Sequence, residues 1–296
     1  MTWAYGITTV PSRRDTLFPR TFNSLKLAGF DRPHIFIDGR MEAADYRDYS
    51  DRITCRHPNA RTAGNWVLSM YELYIREPSA ERFAIFQDDF VTSLNLKSYL
   101  DRCKYPDKGY WNLYTFPSNQ KLCPEGNTYR GWYPSDQYGK GAVALVLSRE
   151  ALCTLLSQRQ LIERFQNKKR GHQAIDGGIV DTFNKIGWKE YVHNPSLVQH
   201  TGLVSSMGNR RHPLANSFMG EDYDLNQLLP NVDVQDTGLK EWEIELASLE
   251  RAMKEDMERL RVAKTHLEKV KLQNHVSRYQ KRIFQHLRDK SKRSTN

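Results

Sequence analysis

Apolar and polar positions along the first two thirds of the chain change period repeatedly. Strand-length apolar runs at Trp3–Thr9, His34–Ile37 and Phe83–Phe86 are separated by segments whose apolar residues recur every three or four positions. Phe18–Ala28 is such a segment, closed by Gly29, and Arg61–Ile75 is another, with Trp66, Met70 and Leu73 on one face. Leu94–Cys103, Arg149–Leu161 and Gly177–Ile186, the last stopped by Gly187, read as further helices. Trp111–Phe116, Ala142–Leu147, Tyr191–His193 and Leu197–Gln199 read as extended pieces. This alternation predicts an α/β fold, a mostly parallel sheet with covering helices. Pro117–Lys140, rich in Pro, Gly, Tyr and Trp, breaks the pattern and reads as a mobile flap over a site.

The pattern changes again after Asn226–Gly238, whose Pro, Asn, Asp and Gly read as a linker. The expected organisation is a catalytic domain over 1–225, a linker over 226–238 and a helical region over 239–296. Leu246, Leu249, Met253, Met257, Leu260, Ala263, Leu267 and Val270 are spaced by threes and fours, and the phase slips before Val276, Ile283 and Leu287. A long amphipathic helix or a helical hairpin follows.

Charge sharpens that division. The 296-residue chain has a formal net charge of +9, and residues 259–296 hold twelve Lys/Arg against two acids, Glu268 and Asp289. The basicity therefore belongs to the tail, and the rest is close to neutral. Lys264, Lys269, Lys271, Arg278, Lys281 and Arg282 can make salt-dependent phosphate contacts with nucleic acid, lie on an anionic membrane surface, or solvate a helix that meets a partner or a second copy. No run of about 18 apolar residues suggests a transmembrane helix. The N-terminus lacks the basic and apolar regions of a secretory signal. Cys55, Cys103, Cys123 and Cys153 form no Cys-x-x-Cys pair, so a reduced, cytoplasmic enzyme is expected.

The strongest chemical signal is Phe83-Ala84-Ile85-Phe86-Gln87-Asp88-Asp89, an apolar run that delivers two carboxylates at its carboxyl end. Adjacent aspartates repel unless a cation or a shared proton intervenes, and a divalent metal carrying a phosphorylated ligand answers that need. Four further pieces fit around the pair, the last of them running from His172 to Gly208 and holding both Asp176 and His200. Thr8-Thr9-Val10-Pro11-Ser12-Arg13-Arg14 ends the first strand in a hydroxyl-rich basic loop suited to a nucleotide and its phosphates. Asp38-Gly39 ends the second strand and can hydrogen-bond a base or ribose, although Asp-Gly is also an ordinary turn. Arg61 and Asn65 open a helix near the crevice, where plain capping is the alternative. Asp176, at a helix start, is either an N-cap or a general base. His200, followed by Thr201-Gly202 and Ser205, offers a third metal ligand.

In order and spacing these elements resemble the GT-A superfamily of nucleotide-sugar glycosyltransferases over roughly residues 3–210. The resemblance implies a Rossmann-like GT-A fold with Gln87-Asp88-Asp89 as a variant of its DxD motif. It assigns Asp89 and His200 to Mn2+ or Mg2+, and Asp88 to a supporting role. Thr8, Thr9, Val10, Pro11, Arg13, Asp38, Arg61 and Asn65 would line a nucleotide-sugar donor site, with a uridine diphosphate sugar as the expected donor. Asp176 would be the base of an inverting transfer. Gln87 departs from the motif, whose first position is more often acidic. A GT-A enzyme with a basic appendage is also similar in plan to the phage and base J-type transferases that glycosylate hydroxymethylated pyrimidines in DNA. A membrane-surface transferase acting on a lipid-linked glycan and a non-catalytic interaction protein are the alternatives.

Overall fold

The computed structural model describes residues 1–124, 128–161, 175–201, 213–231, 241–263 and 265–293. Two compact units divide the chain, one formed by Met1–Pro117 and Arg130–Asp233, the other by Ser118–Tyr129 and Val234–Asn296.

The first unit is built on an eight-stranded sheet of order β3-β2-β1-β4-β8-β6-β9-β7. Its strands are β1 (Trp3–Thr9), β2 (His34–Asp38), β3 (Ile53–Arg56), β4 (Arg82–Gln87), β6 (Gly109–Asn112), β7 (Gly131–Pro134), β8 (Ala144–Ser148) and β9 (Lys189–Asn194). Four of the seven pairings are parallel. The other three are antiparallel, two of them made by β8, which lies between β4 and β6. A separate antiparallel pair joins β5 (Phe90–Thr92) to β10 (Val198–His200).

Side chains of β4 alternate between two cores, as a strand covered on both faces requires. Ala84 and Phe86 join Ile7, Phe18, Phe22, Leu25, Leu96 and Leu100, under α1 (Phe18–Leu27) and α3 (Leu96–Arg102). Phe83 and Ile85 join Trp66, Met70, Leu73, Leu152, Leu155, Ile179 and Phe183, under α2 (Arg61–Arg76), α4 (Arg149–Ser157) and α5 (Ile175–Lys185). The result is the expected α/β layering. α1 stops at Gly29, whose φ of +94° suits a left-handed closing residue, and Phe30 N–H returns to Leu25 O at 2.9 Å.

Sequence and structure part at the sheet margins. β3 is absent from the pattern because Ile53-Thr54-Cys55-Arg56 is a short edge strand with no fully buried residue. The predicted flap is divided: Gly131–Pro134 is the edge strand β7 paired with β9, while Ser118–Tyr129 belongs to the second unit. Trp111–Phe116 is strand only as far as Asn112.

In the second unit the apolar stripe resolves into two helices, α6 (Glu241–Val262) and α7 (His266–Arg293), packed against each other as a hairpin. Leu249, Ala252, Ala263, Leu272 and Tyr279 are buried. Asp256, 1% exposed, is satisfied by Lys121 Nζ at 2.9 Å and His275 Nδ1 at 3.2 Å. No helix among the described residues is long and apolar enough to cross a membrane.

Candidate functional site

The crevice lies where β1 and β4 run side by side and the sheet order reverses, since β2 and β3 extend to one side of β1 and β4 to the other. Such a switch point, beyond the carboxyl ends of parallel strands, is where ligands bind in doubly wound sheets. Register places Thr8 beside Gln87, so Thr9 and Asp88 meet just beyond. Thr9 Oγ1 donates to Asp88 Oδ2 at 2.6 Å. Beyond β1 a single 3-10 turn, Pro11–Arg13, returns the arginine to the pair. Arg13 Nη1 donates to Asp88 Oδ1 and, at 3.0 Å, to Asp89 Oδ2.

The short β5–β10 ladder brings in the histidine. His200 pairs with Phe90, Thr201 N–H donates to Asp89 O at 2.8 Å, and His200 Nε2 lies 3.6 Å from Asp89 Oδ2. Asp88, Asp89 and His200 are all buried. Burial pushes the Asp88 carboxyl up to about 6, with the charge of Asp89 adding to it, against the pull of Arg13 and the Thr9 hydrogen bond. Desolvation works against the Arg13 charge, but Asp88 and Asp89 together hold its affinity for the proton above the ordinary value. Asp89 Oδ1 is buried without a hydrogen-bond partner.

That orphaned oxygen is where a cation would be accommodated. Among the described residues no group of three or more His, Cys, Asp or Glu side chains is arranged to hold a metal ion. Asp89 and His200 fit the lesser role of two protein ligands, which suits Mg2+ or Mn2+, ions that keep waters and substrate phosphate oxygens as their remaining ligands.

Asp176 is joined to this crevice through a loop. Its Oδ2 accepts from Gly141 N at 3.2 Å and its Oδ1 from Gly177 N at 2.8 Å. Beside Gly141, Ala142 O accepts from Gln87 Nε2 at 3.0 Å, and Val143 O from Gln87 N at 2.8 Å. Gln87 thus fastens the loop to the end of β4, a task an ionised acidic residue at the first position of the motif could not perform, because it cannot donate. The glycines are required here. A Cβ on Gly139 (φ +63°) would lie 2.4 Å from Asp176 O, and one on Gly141 (φ +72°) 2.4 Å from Tyr114 Cδ1. Tyr114 in turn meets His200 in a T-shaped contact, with centroids 6.4 Å apart.

The remaining candidates divide. Thr8 Oγ1 donates to Phe86 O at 3.2 Å, so its hydroxyl joins the two central strands. Val10 and Pro11 line the turn, and a Cβ on Gly39 would lie 2.8 Å from Pro11 Cδ, which shows how closely the β2 end approaches it. Asp38 is buried and accepts from Ala60 N at 2.7 Å. Asn65 is committed to the interior: Oδ1 accepts from Arg56 Nε at 2.8 Å and Nδ2 donates to Phe36 O at 3.4 Å. Arg61 is exposed at the start of α2. Lys269, Lys271, Arg278 and Lys281 are exposed on α7 and Arg282 half-buried; Lys264 lies outside the described residues, as do Gly202, Ser205 and the linker from 232 to 238.

One polar cluster went unread in the sequence. Buried Glu190 accepts from Tyr110 Oη at 2.8 Å and Asn112 Nδ2 at 3.1 Å, and Asn112 Nδ2 also donates to Lys140 O at 3.1 Å. Burial pushes the Glu190 carboxyl up to about 7. The only signal was a carboxylate within a strand-like run, Lys189-Glu190-Tyr191-Val192-His193.

No protein-family model matches the chain, and no curated protein matches it in sequence. Solved structures resemble it in part. Mannose-1-phosphate geranyltransferase from Thermus thermophilus is 15% identical, covering 65% of this chain and 74% of its own, with a TM-score of 0.37. A protein assigned as a glucose-1-phosphate thymidylyltransferase from Bacillus anthracis is 10% identical over 67% of this chain and 89% of its own, with a TM-score of 0.38. A197 from STIV is 12% identical over 74% of this chain and 97% of its own, at 0.35. The strand order above stands on the chain's own pairings.

Proposed function

We propose that this chain is a glycosyltransferase that moves a sugar from a nucleotide-sugar donor, of the uridine diphosphate type, to a hydroxyl acceptor with the help of Mn2+ or Mg2+. The observation that carries the reading is the buried, unpartnered Asp89 Oδ1 beside His200 at the β1–β4 switch point. Asp89 and His200 would hold the cation, which when bound stabilises the charge developing on the departing diphosphate. Asp88, fixed by Thr9, supports the pair, and the turn Val10–Arg13 faces the nucleotide. Asp38 and Arg61 complete the donor side in this reading, whereas the bonds of Asn65 give it a framework role beneath them.

Asp176 is the base of an inverting transfer. Its two oxygens are oriented by the Gly141 and Gly177 N–H groups, and a carboxylate held in this way can take the acceptor proton. The acceptor we favour is a hydroxymethylated pyrimidine in DNA, a primary alcohol that a transferase reaches once the base leaves the stack. Exposed Lys269, Lys271 and Lys281 on α7 support a phosphate-bearing acceptor. A cytoplasmic enzyme is the setting that suits such a substrate.

Incubation with a panel of nucleotide sugars and Mn2+ tests the donor half. Wild type should hydrolyse one donor slowly, and Asp89→Ala should lose at least about 100-fold of that rate, the scale expected when a charge-stabilising group is removed. Unchanged hydrolysis in Asp89→Ala, or none in wild type, would sink the assignment. Nucleoside mass spectrometry of hydroxymethylated DNA after incubation tests the acceptor.

A further inference from the structure

Resting on the metal-dependent reading above, we propose that Arg13 is a displaceable internal cation that couples nucleotide binding to metal binding. One guanidinium nitrogen, Nη1, bridges both carboxylates, donating to Asp88 Oδ1 and to Asp89 Oδ2 at 3.0 Å. The two side chains are only 3% and 5% exposed, so water does little to screen their repulsion and a cation between them is needed. A guanidinium carries one positive charge against two negative ones, and Asp89 Oδ1 keeps no donor of its own. A divalent ion neutralises the pair in full. Seated on Asp89 Oδ1, it would face a guanidinium still held on Oδ2 of the same carboxylate, and like charges would then meet in a buried site.

Arg13 therefore leaves as the ion enters, and its position permits this. It stands on one 3-10 turn, outside the sheet ladder, and its side chain is 15% exposed, the most accessible member of the trio. A replacement partner must be waiting, since a buried arginine without an anion is costly. Phosphate oxygens match the guanidinium fork as well as a carboxylate does, so a nucleoside diphosphate supplies that partner. Phosphates draw Arg13 off the aspartates and the ion takes its place. The two ligands then bind with positive coupling, each strengthening the other by the same factor.

Mn2+ binding to the full chain, followed by the paramagnetic resonance of free Mn2+ with and without uridine diphosphate, tests this against a protein-free control for chelation. Wild type should bind Mn2+ weakly alone and about tenfold more tightly with the nucleotide, within the usual range of such couplings. Arg13→Gln should bind Mn2+ alone about tenfold more tightly than wild type and show a smaller nucleotide effect, the part that remains being ligation of the ion by phosphate oxygens. Arg13→Lys keeps the charge but loses the fork that matches a phosphate, so it should fall between them, and it carries the comparison should the Gln variant not fold. Equal Mn2+ affinity and equal coupling in wild type and the folded variants overturn the role of Arg13 while leaving the donor site standing. No Mn2+ binding by wild type with or without nucleotide, or binding that survives in Asp89→Asn, overturns the donor-site reading and this inference together.

Discussion

Two neighbouring aspartates at the end of a buried strand repel each other; Arg13 bridges them, and burial raises the Asp88 carboxyl. Removing the guanidinium leaves both carboxylates buried and unneutralised, a change that costs about 3–5 kcal/mol where a buried pair is broken. The cost depends on pH with a definite sign. The folded carboxyl of Asp88 is raised from 3.8 to about 6, so its contribution favours the fold at low pH and is lost as pH rises through 6. Arg13 offsets that loss, because it interacts with the ionised form. Arg13→Gln should therefore destabilise the chain more at pH 8 than at pH 5, and urea midpoints at the two values measure the difference. Equal losses would mean that Asp88 does not titrate against Arg13. The sequence revealed the pair and the arginine as separate motifs. It carried no sign that they were bonded, because that contact arises only from the Thr8–Gln87 register and the 3-10 turn beyond it.

At the level of elements, the strands buried on both faces were legible and those at the margins were not. β1, β2, β4 and β8 announce themselves as apolar runs, whereas β3 and β7 are short edges whose sequences look like loop. The helical tail was legible as a stripe, but the turn that makes it a hairpin was not, since the stripe continues through Ala263. Polar residues near the crevice were the least legible. Asn65 spends its amide on Arg56 and the β2 backbone, a use that local sequence does not distinguish from ligand binding. Two predictions belong to this scale. Gly141→Ala forces a Cβ to within 2.4 Å of the Tyr114 ring at a backbone φ of +72°, so the loop must move and release Asp176. The expected cost is about 1–3 kcal/mol of stability, read from the unfolding midpoint, with a fall in kcat larger than any rise in KM. On α7, changing exposed Lys269, Lys271 and Lys281 to Gln should weaken duplex DNA binding and lower the slope of log affinity against log salt by about one per lysine that meets a phosphate. An unchanged slope would exclude this face as the DNA contact.

At the scale of the whole molecule, two of the buried histidines and two of the buried carboxyls among the described residues oppose each other in their response to pH. His193 donates from Nδ1 to Pro195 O at 2.7 Å and accepts at Nε2 from Tyr99 Oη at 2.6 Å, an arrangement that fits only the neutral ring. Burial lowers it from 6.5 to about 4, so its contribution to stability is present above pH 6.5 and is lost as pH falls through 4. Glu190, three residues earlier on the same strand, is shifted the other way, from 4.5 to about 7. Its contribution is present below pH 4.5 and is lost as pH rises through 7. Each shift corresponds to something on the order of 3 kcal/mol, and the two run across the same interval with opposite slopes. His34, lowered to about 4, and Asp88, raised to about 6, repeat the opposition elsewhere in the sheet. Wild-type stability should accordingly vary little between pH 4.5 and 7. Glu190→Gln keeps an acceptor for Tyr110 and removes the carboxyl, which leaves the histidine slope unopposed. The variant should gain stability on the order of 3 kcal/mol on passing from pH 4.5 to 7, as followed by urea unfolding at half-unit steps. If its profile stays as flat as the wild type's, Glu190 is not the group that balances His193.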